Sequence, residues 1–138
     1  MIKDVNMTEL ENYAELIKKG DPDFIEVKAY MWVGESQKRL EIKNMPQHEE
    51  IADFTKELIK SLHDYEIVSD HVPSRVVMCA KKKYKMEGKW KTWIDFKKFD
   101  ELVNSGKEFS TEDFLLNTPQ TGLSGKTTNE WYGREEHQ

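Results

Sequence analysis

Cysteine is nearly absent from this chain: Cys79 is the only one in 138 residues. A lone thiol excludes an internal disulfide, and it excludes a zinc or iron-sulfur site built from this chain's own thiolates, because such sites need several. Its setting in "RVVMCAK" makes it a buried strand residue before it is a nucleophile. Long apolar runs are missing as well. None approaches the roughly 20 residues of a membrane span, and the opening "MIKDVNMTEL" lacks the basic and apolar regions of a secretion signal, so the expected location is the cytoplasm. His48, His63, His71 and His137 lie scattered on polar segments without metal-ligand spacing, which assigns them surface or capping roles and leaves no metal site. "GLSGKTT" carries the Gly-Lys pair of a phosphate loop, but Gln120 stands where a Walker A loop has its first glycine, and no strand precedes it. There is no internal repeat.

What is present suits one soluble domain with a real core: 37% of the residues are hydrophobic and 34% are charged. The net charge of −5 is unevenly spread. Residues 81–98, "KKKYKMEGKWKTWIDFKK", hold eight lysines against Glu87 and Asp95, a local +6 that leaves −11 for the rest of the chain. Tyr84, Trp90, Trp93 and Phe96 are interleaved with those lysines. Basic and stackable side chains together suit an RNA strand, with Lys81, Lys82, Lys83, Lys85, Trp90 and Trp93 as the candidate contacts. A solvated lysine edge that guards a sheet against aggregation gives the same pattern, and both readings stand at this point.

Along the chain, "MIKDV" reads as a short strand. A helix then starts near Thr8, with Thr8 and Glu11 as a capping box, Leu10, Tyr13, Ala14 and Ile17 on one face, and Gly20 as its stop. Residues 23–34, "DFIEVKAYMWVG", read as the next strand, so strand, helix and strand form a βαβ unit with parallel strands. A second helix is expected over 47–62, with Ile51, Phe54, Leu58, Ile59 and Leu62 inward and Asn44 and Pro46 shaping its approach. "YEIVS" and "SRVVMCAKK" flank a turn at Pro73 and form a hairpin. "WIDFKKFDELVNSG" runs from a short strand or turn into a helix with Phe96, Phe99, Leu102 and Val103 inward, ended by Gly106. "STEDFLLNTP" contains a capped helical turn, and the sequence from Thr118 on reads as a loosely ordered tail.

The strand over 23–34 has an unusual second face. Ile25, Val27, Ala29, Met31 and Val33 form a core face, while Phe24, Glu26, Lys28, Tyr30 and Trp32 point the other way. In an antiparallel sheet this second set is simply a solvated face. In a strand arriving through a βαβ crossover it lines the interior of a barrel, where catalytic side chains sit. A lysine there binds an anionic substrate or condenses with a carbonyl.

Several pieces in one order, "EVKAYM", "NMPQHEE", "PSRVV" and "IDFKKFDELVNSGKEFSTEDF", resemble the C-terminal part of the tRNA 4-demethylwyosine synthases, the wyosine base formation family of radical S-adenosylmethionine enzymes. The resemblance runs from about Ile2 to Thr118. It implies an α/β fold: an incomplete βα (TIM-like) barrel fragment with a C-terminal α+β extension. The implied divisions are the last βαβ part of the barrel over 1–34, the wyosine base formation C-terminal region over 35–117, and the tail over 118–138. It further implies a lyase that builds 4-demethylwyosine from N1-methylguanosine in phenylalanine tRNA, using pyruvate, S-adenosylmethionine and 4Fe-4S clusters. The cluster cysteines of that family are not in this chain, so it is expected to be silent alone and to need a partner carrying them. By the same resemblance Lys28 is the candidate for meeting pyruvate, with Glu26 and Tyr30 on the same wall. An ion pair between Lys28 and Glu26 is the structural alternative. Ser36, Arg39, Ser74 and Arg75 are candidates for phosphate or carboxylate contacts, or for ordinary surface pairs. Two other functions compete: a stand-alone RNA-binding module without catalysis, and a Schiff-base enzyme acting through Lys28 by itself.

Overall fold

The computed structural model describes residues 1–118; the "GLSGKTT" segment, His137 and the rest of 119–138 lie outside the described residues. Helix α1, Leu10–Gly20, has the expected inner face: Ala14 is buried, and Leu10, Tyr13 and Ile17 pack on the core. Its start differs from expectation. Glu9, not Thr8, is the cap, with φ 55°, and no side chain caps the helix, because the left-handed turn at Glu9 breaks the approach that a Thr8 capping box needs. The chain leaves α1 through Asp21, also left-handed at φ 46°.

Strand β1, Phe24–Lys28, is shorter than the sequence pattern suggests and pairs antiparallel with β3, Val76–Lys81. Strand β2, Tyr65–His71, pairs antiparallel with β3 from the other side, giving the order β1-β3-β2. The hairpin expected around Pro73 is therefore present, closed by the Arg75 N–H donating to the Val72 carbonyl at 3.0 Å. The parallel pair expected of a βαβ unit is reduced to one bridge. Residues 1–5 form no strand; the Met1 amine donates to the Lys28 carbonyl, and the Tyr30 N–H donates to the Met1 carbonyl at 2.7 Å. Asp4, at φ 61°, turns the backbone back on itself so that the Asn6 N–H meets the Ile2 carbonyl, and no extended run survives to pair further.

Strand β1 ends where its partner does. The Ala29 N–H donates to the Arg75 carbonyl, one residue before β3 begins, and the chain beyond it leaves the sheet. The alternation therefore holds through Ala29 and then fails: Met31 and Val33 are exposed, not core.

Helix α2, His48–Ile59, starts with a Gln47/Glu50 capping box and packs Ile51 and Leu58 fully inward. Asn44 is buried in the approach, its amide donating to the Lys3 carbonyl at 3.1 Å, and Pro46 is buried beside it. Helices α1 and α2 cover the face of the first sheet that carries Val27, Val77 and Cys79. Val77 and Ile51 are 0% exposed, and truncating either to Ala costs about 2–4 kcal/mol.

A second three-stranded sheet, order β4-β5-β6, comprises Lys85–Met86, Lys89–Ile94 and Leu115–Asn117. Helix α3, Phe96–Ser105, hangs from it, capped by the Asp95 carboxylate accepting from the Lys98 N–H at 2.9 Å and stopped by Gly106 at φ 66°. The capped turn is present as Thr111–Phe114 with a Ser110/Asp113 box. The inward face expected of α3 is not. No residue of α3 is buried, and Phe96 is 68% exposed. Among the described residues Phe99 finds aromatic neighbours, edge-on to Phe109 at 5.9 Å and to Phe114 at 5.1 Å.

Candidate functional site: the cleft between the two sheets

The first sheet has a second face, turned away from α1 and α2. Register places Glu26 of β1, Met78 of β3 and Ser69 of β2 side by side across it, and Lys28, Val76 and His71 in the next row. Opposite stands the second sheet. Between them lies a cleft of about 460 Å³, lined by Glu26, Ser69, Met78, Thr92, Trp93, Ile94, Phe96 and Thr118. Its walls are mainly apolar, and Thr92 and Thr118 tie β5 to the end of β6 through a 2.7 Å hydroxyl pair.

Ser69 reaches this cleft because of a bulge. Ile67 pairs with Cys79, but the next partnered residue is Ser69, opposite Met78, so Val68 is the extra residue. Unbroken alternation would turn Ser69 under the helices and Asp70 into the cleft. The bulge exchanges them. Ser69 is 3% exposed and its hydroxyl has no hydrogen-bond partner among the described residues. Asp70 instead meets His48 of α2, Nε2 to Oδ2 at 2.7 Å, with side chains 10% and 1% exposed. His48 is thus a buried, paired residue and not the surface or capping group expected from its polar surroundings. The signal for it, a lone histidine in the first turn of an amphipathic helix, is too weak to read without the sheet beneath.

The expected row of Glu26, Lys28 and Tyr30 is divided. Glu26 and Lys28 share the cleft face of β1 and are both exposed. Tyr30 lies beyond the strand and donates through its hydroxyl to Ser36 Oγ at 2.8 Å, which itself donates to the Val33 carbonyl. Two residues assigned separate roles from the sequence therefore hold one loop together. Arg39 is exposed, and Ser74 bonds His71 Nδ1 at 2.7 Å. Arg75 donates to the Pro46 carbonyl at 2.8 Å, pinning the hairpin to the start of α2.

Three of the eight lysines of the 81–98 segment are paired with carboxylates within the chain. Lys81 bonds Asp21 at 2.8 Å, Lys83 bonds Asp23 at 2.7 Å, and Lys85 reaches Glu66 at 3.1 Å while lying 5.5 Å from the Trp90 ring centre. The Lys83 ammonium on Asp23 holds that carboxyl below the ordinary range, with the Tyr84 hydroxyl adding to the effect. Lys82 is exposed, and Trp90 and Trp93 are half-buried. Trp93 lines the cleft.

An iron-sulfur cluster does not fit these residues. Cys79 is 1% exposed on the helix-covered face, and burial pushes its thiol up to about 12, so it is a neutral packing group. Among the described residues no group of histidine, cysteine and carboxylate side chains is arranged to hold a metal ion. No helix among them is long and apolar enough to cross a membrane.

The wyosine base formation family model matches residues 19–81. The S-adenosyl-L-methionine-dependent tRNA 4-demethylwyosine synthase of Mus musculus is 42% identical over 132 residues, covering 91% of this chain and 18% of its own length. That of Oryza sativa subsp. japonica is 41% identical over 128 residues, covering 91% and 20%. A solved structure of TYW1 with a lysine-pyruvate adduct bound superposes with a TM-score of 0.52 at 31% identity, over 60% of this chain and 26% of that one. The chain thus spans about a fifth of the length of the curated relatives it matches. With a mixed α/β fold of two three-stranded sheets and three helices, a match of residues 19–81 to the wyosine base formation family model and 91% of its sequence alignable to the tRNA 4-demethylwyosine synthases, this chain resembles the C-terminal part of those enzymes.

Proposed function

We infer that this chain supplies part of a tRNA-modifying enzyme that forms 4-demethylwyosine from N1-methylguanosine in phenylalanine tRNA with pyruvate. The observation that carries this is the 42% identity over 91% of the chain. The chemistry divides between segments. The 4Fe-4S clusters and S-adenosylmethionine belong to a partner segment, because Cys79 is the one thiol here and is sealed in the core. This chain supplies the wall around Glu26 and Lys28. The exposed Lys28 ammonium, one pleat from a carboxylate, is our candidate for meeting pyruvate, by charge pairing or by condensing with its ketone and releasing water.

The division of the chain follows the same reading: residues 1–34 as the last part of a barrel, with the free edge of β1 and its Met1 bridge where neighbouring strands would continue, and 35–117 as the family's own region. A stand-alone RNA-binding module is less well supported, since Lys81, Lys83 and Lys85 are already paired with carboxylates. The test is reconstitution. The chain alone, treated anaerobically with iron and sulfide, should show no cluster absorbance and leave N1-methylguanosine in tRNA unchanged. Combined with a polypeptide carrying a C-x-x-x-C-x-x-C cluster segment, it should convert that base, and Lys28→Ala should lower the rate at least tenfold, on the order of 1.4 kcal/mol in the barrier. No conversion by the combination would refute the assignment; conversion unaffected by Lys28→Ala would remove Lys28 from it.

A further inference from the structure

Helix α3 carries its charges in an order that suits neither its own axis nor its own neighbours. The N-terminal end of a helix favours anions and the C-terminal end cations. Helices α1 and α2 follow this rule, with Glu11 in the first turn and Lys18 and Lys19 in the last of α1, and Glu49, Glu50 and Lys56 placed likewise in α2. In α3 the first turn holds Lys97 and Lys98, offset in part by the Asp95 cap, and the carboxylates of Asp100 and Glu101 follow. The three ion pairs formed between residues three apart among the described residues all place the acid first: Glu35 with Lys38, Asp53 with Lys56 and Glu57 with Lys60. Helix α3 has the reverse order, which is the weaker one. Accordingly Lys97, Lys98, Asp100 and Glu101 are all exposed, and none of them makes an ion pair among the described residues.

The exposed stripe beside these charges is apolar. At about 100° per residue, Phe96, Asp100 and Val103 fall on one side of α3, and Phe96 and Val103 are 68% and 51% exposed. Phe99, around the helix from them, is already packed edge-on against Phe109 and Phe114. We propose that this stripe is a self-pairing surface: two copies of the chain associate through antiparallel α3 helices, with Phe96 of each against Val103 of the other and Lys97 of each beside Asp100 of the other. The register follows from symmetry, because Phe96 and Val103 stand equally far from the midpoint between Phe99 and Asp100. Lys97 then lies over the last turn of the opposing helix, where a cation is favoured, and roughly 3 Å of helix rise from the opposing Asp100. The charges select a second copy as the occupant. A surface of one sign would repel either the lysines or the carboxylates, whereas a two-fold antiparallel pair satisfies both. A ten-residue helix is only about 15 Å long, so even with the exposed Ile94 beside Phe96 the contact falls short of the roughly 1,200 Å² of a standard interface, and the pair is weak and concentration-dependent.

This pairing does not rest on the tRNA reading above, and its test needs no RNA. Sedimentation equilibrium of the whole chain at about 50 mM salt, where exposed charges are less screened, is the measurement. Each contact occurs twice in a two-fold pair, so Lys97→Asp or Asp100→Lys alone replaces two attractive contacts by two repulsive ones and should raise the dissociation constant at least about fivefold. An equal mixture of these two variants should associate as the parent does, since each brings the charge that the other needs. The chain carrying both substitutions should do the same. Circular dichroism should find the melting temperature of Lys97→Asp no lower than the parent's, because an anion in the first turn suits the helix, so its weakened association is not a loss of fold. A parent that stays monomeric up to millimolar concentration, single variants that associate like the parent, or a mixture no stronger than either variant alone would each overturn the pairing and leave the stripe to the remainder of a longer enzyme.

Discussion

Asp23 ties the start of β1 to the segment 81–84 through one carboxylate. It accepts Lys83 at 2.7 Å and the Tyr84 hydroxyl at 2.9 Å, and lies 3.6 Å from Lys81. The hydrogen bond from Lys83 leads the causes that lower its pKa from the ordinary 3.8, and Glu50 is lowered in the same way, first by Lys3. A carboxyl whose folded value lies below its unfolded one contributes stability that is complete above the unfolded value and is lost as pH falls through the folded one. The melting temperature should therefore be flat from neutral pH down to about 5 and decline below about 4. Asp23→Asn should reduce stability at neutral pH and make the acid decline shallower, as followed by circular dichroism. An acid limb identical to that of the parent would show that the ion pair is too well solvated to matter. The pairing itself was not visible in the sequence, because Asp21 and Asp23 sit some sixty residues from the lysines, and only the β1–β3 register brings them together.

At the scale of elements, local rules succeeded where a single chain segment contains its own reasons. The helical faces of α1 and α2, the hairpin at Pro73, the Gly106 stop and the Ser110 turn all rest on contacts within a few residues. The β4–β5 hairpin was missed because a strand of two residues shows no alternation. Its turn is nevertheless specific: Glu87 and Gly88 both have positive φ, 51° and 76°, the conformation of a two-residue loop that follows the twist of its strands. No atom lies within 4 Å of where a Cβ on Gly88 would stand, so Gly88→Ala probes the backbone alone. It should cost about 1–2 kcal/mol. Gly20, in the last turn of α1 with ordinary φ, has only a 3.9 Å contact to Pro22 and supplies the contrast: Gly20→Ala should be neutral or stabilise by up to about 1 kcal/mol. Urea unfolding, with hydrogen exchange to localise the effect, reads both. Equal effects of the two substitutions would mean that the turn geometry is not strained for alanine.

The whole molecule leaves apolar surface uncovered. Phe96 and Val103 of α3 are 68% and 51% exposed, and Ile94 and Leu116 beside it are 38% and 47% exposed. Together with the open edge of β1, this surface suits a larger assembly, consistent with a chain that matches about a fifth of its relatives' length. Sedimentation of the isolated chain should show association that grows with concentration, and Phe96→Glu with Val103→Glu should weaken it while leaving the melting temperature within about 2 °C, since neither side chain is in the core. A monomer at every concentration would show that α3 folds its apolar side well enough by itself.

The sequence by itself determined the class of elements, most of the core and the family resemblance, because these rest on periodicity, on caps and on many separate residue matches in one order. It could not determine the sheet. Strand β1 looks the same beside a parallel or an antiparallel neighbour; in the fold β3 takes one of its edges antiparallel, and the turn at Asp4 limits the other edge to the bridge with Met1. Nor could it place the cleft. One extra residue at Val68 reverses which face Ser69 and Asp70 occupy, sending the carboxylate to His48 and Ser69 to the sheet face that carries Glu26 and Met78. Alternation has a period of two, so a single bulge inverts every assignment beyond it, and only the paired strand reveals that it is there.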